Sequence, residues 1–348
     1  MKSRYRRIGS GLLVLAGVGL YAFLLTAPRL PPPSGSYAIG RQPLALATRQ
    51  GSDATPIAEL WFPIEAEGAR PVLLSFPSWT GTEIEDVFLT RDLVSHGFIV
   101  VTVRYPTAEE IAKAGFGLRG EPIGMMDFSS EQAFERTLAL GDTKVRARAR
   151  DASAVLDQLN DLNLQQGPFS GRLDLDRIGI WGFSLGGAAA AQAATIDPRI
   201  KAVVNLDGWL FADAAMHGVA QPYLLMSDGS PLPQPAELSA ADPVVRYTAI
   251  LNQGDYDRQI AGLKQHGGYL LTIDGTTHVN FTDAAARSRF RRLTGAGALA
   301  APRALTIIAA YLRGFFETHL LAEPSALFGS MPPPFAEAHL QHWPDNAR

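Results

Sequence analysis

The sequence predicts an α/β fold, in which a mostly parallel central sheet carries helices on both faces. From about residue 40, short apolar runs that end in Gly, Pro, Asp or Ser alternate with segments of helical periodicity. With 348 residues, 47% of them hydrophobic and 19% charged, the chain can bury the core of one large domain. The candidate strands are Ala58–Phe62, Val72–Phe76, Phe98–Val103, Ile178–Gly182, Ala202–Leu206, Tyr223–Ser227 and Tyr269–Ile273.

Two helices are predicted against this sheet. Apolar residues recur at steps of three and four from Val145 to Leu159, which places them on one face of a helix that leads into strand Ile178–Gly182. A last helix is predicted over Ile307–Leu320. Residues 41–322 therefore form the expected main domain, with a proline-rich linker at 30–40 and a tail at 323–348.

The segment 106–141 is long and irregular and is predicted to be a cap-like insertion. Insertions of this length beside a functional face are more often caps or binding loops than plain linkers. The apolar side chains Phe116, Met125, Met126 and Phe128 are expected to line an entrance that faces lipid.

The N-terminus predicts a membrane anchor over residues 1–29. Four basic residues within the first seven precede an uncharged run of twenty residues, Ile8–Ala27. A helix of this length spans about 30 Å, the thickness of a bilayer core. The basic flank should stay in the cytoplasm, so the main domain is expected outside it, on the periplasmic side if the cell is bacterial. The alternative is a cleaved signal peptide and a secreted or periplasmic protein.

Composition narrows the classes of partner. The net charge of −3 offers no basic surface, so a nucleic-acid partner is not expected. The absence of cysteine excludes disulfides, thiolate catalysis and cysteine-ligated metals. The sequence leaves the oligomeric state open.

The most informative local pattern is Gly-x-Ser-x-Gly at residues 182–186. It follows the candidate strand Ile178–Gly182 and precedes a run of small residues that is typical of a helix. A sharp turn between strand and helix exposes a serine oxygen, and flanking glycines let the two elements pass closely. The pattern predicts Ser184 as a nucleophile and the backbone N–H of Leu185 as an oxyanion donor.

A serine nucleophile needs a base and an acid later in the chain. His278 follows strand Tyr269–Ile273 after a short turn, so it is the predicted base. Asp207 and Asp228 each end a predicted strand between the serine and the histidine, and either gives the order Ser, Asp, His. In most proteins with the α/β-hydrolase fold the acid follows the later strand, which favours Asp228, but the pattern alone leaves both open.

Five segments in order resemble the plasma and intracellular type II platelet-activating factor acetylhydrolases, over residues 57–285. They are Asp92–Tyr105, Gly182–Gly187, Leu206–Trp209, Gln221–Leu225 and Gly275–Asp283. The resemblance implies an α/β-hydrolase fold and a lipase-type esterase that needs neither calcium nor a cofactor. It maps the catalytic acid onto Asp207, in the Leu-Asp-x-Trp segment.

The chain departs from that family in two places. Phe183 stands where the family usually has a histidine, and Phe76–Gly81 replaces its His-Gly oxyanion loop. Alignment on Gly81 implies that Thr80 supplies the second oxyanion N–H, with Trp79 as the next candidate. The altered loop leaves the acyl preference open.

The sequence therefore predicts a membrane-anchored serine esterase with no metal or cofactor, acting on phospholipids that carry a short or oxidised acyl chain. A second hypothesis is an esterase for small or polymeric esters, similar to dienelactone hydrolases or cutinases. A third is an inactive hydrolase fold that serves as a binding protein, since fold does not fix function.

Overall fold

A computed structural model of the chain describes residues 21, 23, 26–46, 54–114, 119–121, 124–329 and 334–344. The predicted anchor Ile8–Ala27 lies almost entirely outside this set, as does Phe116. Within the set, no helix is both long enough and apolar enough to cross a bilayer.

The described residues form a nine-stranded sheet in the order β1-β2-β4-β3-β5-β6-β7-β8-β9. The strands are Ile39–Leu44 (β1), Ile57–Pro63 (β2), Arg70–Phe76 (β3), Ile99–Arg104 (β4), Leu173–Phe183 (β5), Ile200–Leu206 (β6), Tyr223–Asp228 (β7), Gly268–Ile273 (β8) and Ala338–Trp343 (β9). Strands β4, β3, β5, β6, β7 and β8 run parallel, whereas β2 is antiparallel to both β1 and β4, and β9 is antiparallel to β8. The predicted α/β fold with a mostly parallel sheet is confirmed.

Helices cover both faces of the sheet. They are Val87–Ser95 (α1), Ala108–Ala114 (α2), Glu131–Leu164 (α3), Leu185–Ile196 (α4), Ala212–His217 (α5), Pro235–Leu238 (α6), Pro243–His266 (α7), Arg291–Thr294 (α8) and Ala301–Leu320 (α9), with short 3₁₀ turns at His278–Phe281, Asp283–Ala286 and Ala326–Phe328. Helices α3 and α4 pack on one face, and α1 and α9 pack on the other. Within β3, Val72 and Leu74 join the first cluster while Leu73 joins the second, because successive side chains alternate across a strand.

All seven predicted strands lie on observed ones. The two edge strands, β1 and β9, were not predicted, because neither contains a continuous apolar run. Strand β1 has exposed residues from Arg41 to Pro43, and three of the six residues of β9 are exposed, as is typical of edge strands. The tail 323–348, predicted to pack in part against the main domain, therefore supplies the last strand of the sheet.

The predicted cap-like insertion 106–141 ends inside helix α3. Ser130 caps this helix by accepting a hydrogen bond from the Ala133 N–H, and the helix runs unbroken for 34 residues. Gly141 lies inside α3 although glycine disfavours helices. The structure gives it another role, since a Cβ at this position would overlap the ring of Phe211.

Candidate active site

Ser184 lies at the sharp turn between β5 and α4. Its backbone adopts φ 56° and ψ −124°, a conformation that non-glycine residues rarely adopt. A Cβ at Gly182 would overlap the backbone of Gly186, and a Cβ at Gly186 would overlap the carbonyl of Phe76. Only glycine therefore fits at both positions, and the serine side chain lines a cleft at the carboxyl ends of the strands.

His278 and Asp207 meet across 71 positions of sequence. His278 begins the 3₁₀ turn after β8, and its Nδ1 lies 2.6 Å from Asp207 Oδ2. Asp207 follows β6 at φ 56°, and its carboxylate is mostly buried, whereas half of the His278 side chain is exposed. A proton on Nδ1 would be donated to the carboxylate, which leaves Nε2 as the acceptor nitrogen.

The alternative acid, Asp228, lies beside this pair, but its carboxylate accepts no hydrogen bond from His278. Its two carboxylate oxygens accept from the Ser230 N–H and hydroxyl, each at 2.9 Å. Its own backbone N–H donates to Asp207 Oδ1 at 3.0 Å. Burial, with the charge of Asp207, raises the pKa of Asp228.

Phe183 covers one face of the histidine. The two rings lie 4.4 Å apart between centroids, with an angle of 37° between their planes. The residue noted in the sequence as a departure thus packs against the imidazole, which restricts the orientations that the ring can adopt.

The three predicted oxyanion residues sit on two adjacent elements. Leu185 is the first residue of α4, so its N–H has no carbonyl partner within the helix. Trp79 is buried against Leu185, whereas Thr80 is exposed. In the part of the chain that the structure describes, no acceptor is found for the Trp79 or Thr80 N–H.

The cleft beside these residues has a volume of about 340 Å³. Its lining beyond the three predicted catalytic residues includes Met126, Trp209, Leu232 and Tyr256. Trp209 belongs to the Leu-Asp-x-Trp segment, but no local pattern in the sequence assigns it a role in the cleft. Its indole N–H donates to Asn252 Oδ1 on α7 at 2.9 Å, a long-range contact for which no local pattern exists.

A buried charged cluster was also missed. Lys144 and Arg148 of α3 contact Glu121 and the carbonyl oxygens of residues 77–79. Two cations four residues apart on a helix usually indicate an exposed face, so the pattern gave no signal. Within the described residues, no three His, Asp or Glu side chains are grouped as a metal site.

Comparisons with known proteins agree with this architecture. A sequence profile for the PETase family, described as PET hydrolase-like, matches residues 137–248. The ferulic acid esterase from Streptomyces cinnamoneus has a similar solved structure, with a TM-score of 0.64, 22% identity and coverage of 90% of this chain and 98% of that one. The chain therefore has the α/β-hydrolase fold.

Curated relatives divide between two kinds of esterase. Cutinase 2 of Thermobifida cellulosilytica is 26% identical over 176 residues, which cover 51% of this chain and 52% of the relative. The platelet-activating factor acetylhydrolase of Canis lupus familiaris is 25% identical over 212 residues, with coverage of 55% and 43%. A probable 1-alkyl-2-acetylglycerophosphocholine esterase of Arthroderma benhamiae is 30% identical over 161 residues, with coverage of 44% and 36%.

The chain spans about half, or less, of the length of these relatives. The resemblance proposed from sequence is therefore confirmed at the level of the α/β-hydrolase superfamily of esterases. It is not specific to the platelet-activating factor acetylhydrolases, because the cutinases and the PETase profile match as well.

Proposed function

We propose that this protein is a serine hydrolase that cleaves carboxylic esters through an acyl-serine intermediate. The proposal rests on one arrangement above all: the 2.6 Å contact between Asp207 and His278, in the same cleft as a serine held at φ 56°. Ser184 is the nucleophile, His278 the base and Asp207 the acid.

In this mechanism Ser184 Oγ attacks the ester carbonyl while His278 Nε2 takes its proton and then delivers it to the leaving alcohol. Asp207 keeps the Nδ1–H tautomer and stabilises the imidazolium. The N–H groups of Leu185 and Thr80 hold the tetrahedral oxyanion, and the Trp79 N–H is the second candidate for the donor from the loop. Water, activated by the same histidine, releases the acid and restores the serine.

The cleft favours an uncharged ester with an apolar acid or alcohol. It presents the apolar and aromatic groups of Met126, Trp209 and Tyr256. None of the described residues that line the cleft is Lys or Arg, whereas Asp228 and Asp255 are among them. A phosphate in this cleft would meet carboxylates rather than cations, so we place small-molecule or polyester esters first, as the cutinase and PETase matches also favour.

This order reverses the one drawn from sequence, where short-chain or oxidised phospholipids came first. They remain the second candidate, because the acid lies after β6, where the resemblance to the platelet-activating factor acetylhydrolases places it, and because two relatives carry that activity in their names.

The deciding experiment profiles the purified full chain against three substrates. p-Nitrophenyl esters of graded acyl length report esterase activity, an aromatic polyester film reports polyester cleavage, and short-chain phosphatidylcholine reports the lipid activity. We expect turnover of the first two to exceed turnover of the lipid. Faster cleavage of the phosphatidylcholine would reverse this ranking. No turnover of any ester, with no fluorophosphonate labelling, would indicate the inactive binding protein.

A further inference from the structure

Two buried cations lie beneath the loop formed by residues 77–81, here called the oxyanion loop. Arg148 is completely buried, and Lys144, one turn earlier on α3, is 3% exposed. Long cationic side chains are rarely buried without a specific partner. Their neighbours on the same helix face, Val145, Ala149 and Ala152, belong to the apolar core.

Both cations bind backbone oxygens of the oxyanion loop. Arg148 Nη1 donates to the carbonyls of Pro77 and Ser78, the second at 2.9 Å. Lys144 Nζ donates to the carbonyl of Trp79 at 3.2 Å. Three successive carbonyl groups are therefore held towards the helix by two side chains.

Because the peptide bond is planar and trans, a hydrogen bond to a carbonyl also fixes the direction of the N–H in the same peptide. The C=O and N–H of one peptide point in opposite directions, so a carbonyl held inwards sends the next residue's N–H outwards. The Ser78 carbonyl thus orients the Trp79 N–H, and the Trp79 carbonyl orients the Thr80 N–H. The Pro77 carbonyl is followed by the Ser78 N–H, which already donates to Glu85 Oε2 at 2.8 Å.

Glu121 completes the cluster from the predicted insertion 106–141. Arg148 Nε and Nη2 bind its two oxygens at 2.7 Å each, and Lys144 Nζ lies 3.1 Å from Oε2. Burial lowers the pKa of Lys144, while the charge of Glu121 acts in the opposite direction. Without Glu121, two like charges would face each other in the interior.

Gly81 shows that the loop is fitted around this ion pair. It has φ +72°, and a Cβ there would lie 2.8 Å from both Arg148 Nη2 and Glu121 Oε2. The same loop is tied to the insertion a second time, because the indole N–H of Trp79 donates to the Gly124 carbonyl at 2.8 Å.

We propose that Arg148, Lys144 and Glu121 are positioning residues for ester hydrolysis, which hold the Trp79 and Thr80 N–H groups in place for the oxyanion. This inference rests on the proposed function of Ser184. It gives the insertion a positioning role, since Glu121 fixes the two side chains that orient the loop.

The test compares Arg148→Lys, Lys144→Met and Glu121→Gln with a control on the same helix, Arg146→Gln. Arg146 forms two hydrogen bonds with Asp213, at 2.6 and 2.9 Å, and touches no part of the loop. Lysine at 148 keeps the charge but loses the two-pronged guanidinium contact, so it is less disruptive than removal of the cation. Active-site titration with a fluorophosphonate normalises each variant to its folded, reactive fraction.

We expect Arg148→Lys to lower kcat on p-nitrophenyl acetate by about 10²-fold, as the loss of an oxyanion donor does, with KM within about threefold. Lys144→Met and Glu121→Gln should each lower kcat by about tenfold. Inhibition by a trifluoromethyl ketone, which forms an oxyanion on the serine, should weaken by the same factor as kcat/KM. Binding of the corresponding methyl ketone and the activity of Arg146→Gln should stay unchanged.

Unchanged kcat and trifluoromethyl ketone affinity in all three variants would overturn the inference, as would losses that disappear after titration. A rise in KM alone would do the same. If these results came with an inactive Ser184→Ala, the proposed function would stand and only the positioning role would fail. An active Ser184→Ala would overturn the proposed function itself.

Discussion

Substitution of each candidate acid by asparagine separates Asp207 from Asp228. The change removes one negative charge and replaces an acceptor oxygen with an amide that donates. At Asp207 this reverses the polarity of the 2.6 Å contact with His278 Nδ1 and favours the wrong imidazole tautomer. At Asp228 the partners are the Ser230 N–H and hydroxyl, and the backbone N–H to Asp207 is retained.

The expected magnitudes follow from these contacts. Unit charges about 4 Å apart attract by about 4 kcal/mol at an effective dielectric of 20. Half of the His278 side chain is exposed, and screening reduces this attraction. With ~3 kcal/mol left, the charge alone accounts for about 10²-fold in rate. The change of tautomer adds to this loss. Because the same Asp→Asn substitution costs about 10⁴-fold in total in a serine protease, we expect Asp207→Asn to lose between about 10³-fold and 10⁴-fold.

Asp228→Asn should lose less than about tenfold, because its carboxylate does not bind the histidine. The assay is kcat/KM on a p-nitrophenyl ester, with circular dichroism to verify that both variants fold. A larger loss for Asp228→Asn than for Asp207→Asn would refute the assignment and move the acid to the end of β7.

Three further predictions test other parts of the reasoning. Ser184→Ala and His278→Ala should each remove nearly all ester turnover, and a fluorophosphonate should label Ser184 alone; mass spectrometry of the labelled peptide detects any other site. Burial raises the pKa of Asp86 to about 6, whereas its pKa in the unfolded state is near 3.8. The folded state therefore holds this proton more tightly than the unfolded state, so stability should fall as pH rises from about 4 to about 6. Asp86→Asn should remove about 2 kcal/mol of that fall, measured as the difference between the free energies of urea unfolding at pH 4 and pH 7, and an unchanged pH slope would contradict it. If Ile8–Ala27 anchors the chain, the protein should stay in membranes through carbonate washing; a soluble protein whose N-terminus lies near residue 28 would instead reveal a cleaved signal peptide.

The local features of the site were predictable because short-range physics produces them. The turn at Ser184 needs glycine on both sides, since the strand and helix backbones nearly touch, and that requirement appears directly in the spacing of residues 182–186. The position of His278 follows from the apolar run of β8 and the turn after it. The parallel strands are buried on both faces, so their sequences are almost continuously apolar.

The edge strands and the full length of helix α3 were harder to predict from the sequence. Strands β1 and β9 expose part of their surface, and polar residues interrupt their apolar ones, which weakens the apolar signal. In α3, Gly141 is a local helix breaker, yet the helix continues because the glycine makes room for Phe211 from a distant part of the chain.

Sequence alone therefore determined the α/β fold, the sharp turn at Ser184 and the position of His278 after β8, all of which depend on residues close together in the chain. Tertiary structure decided which aspartate contacts His278, because both candidates lie at the carboxyl ends of parallel strands and only the folded chain shows the Asp207 carboxylate 2.6 Å from the imidazole Nδ1. It also decided that Lys144 and Arg148 face the interior, since their partners are Glu121 and the carbonyls of residues 77–79. A buried charge is stable only when specific groups compensate it, and those groups come together only when the chain folds.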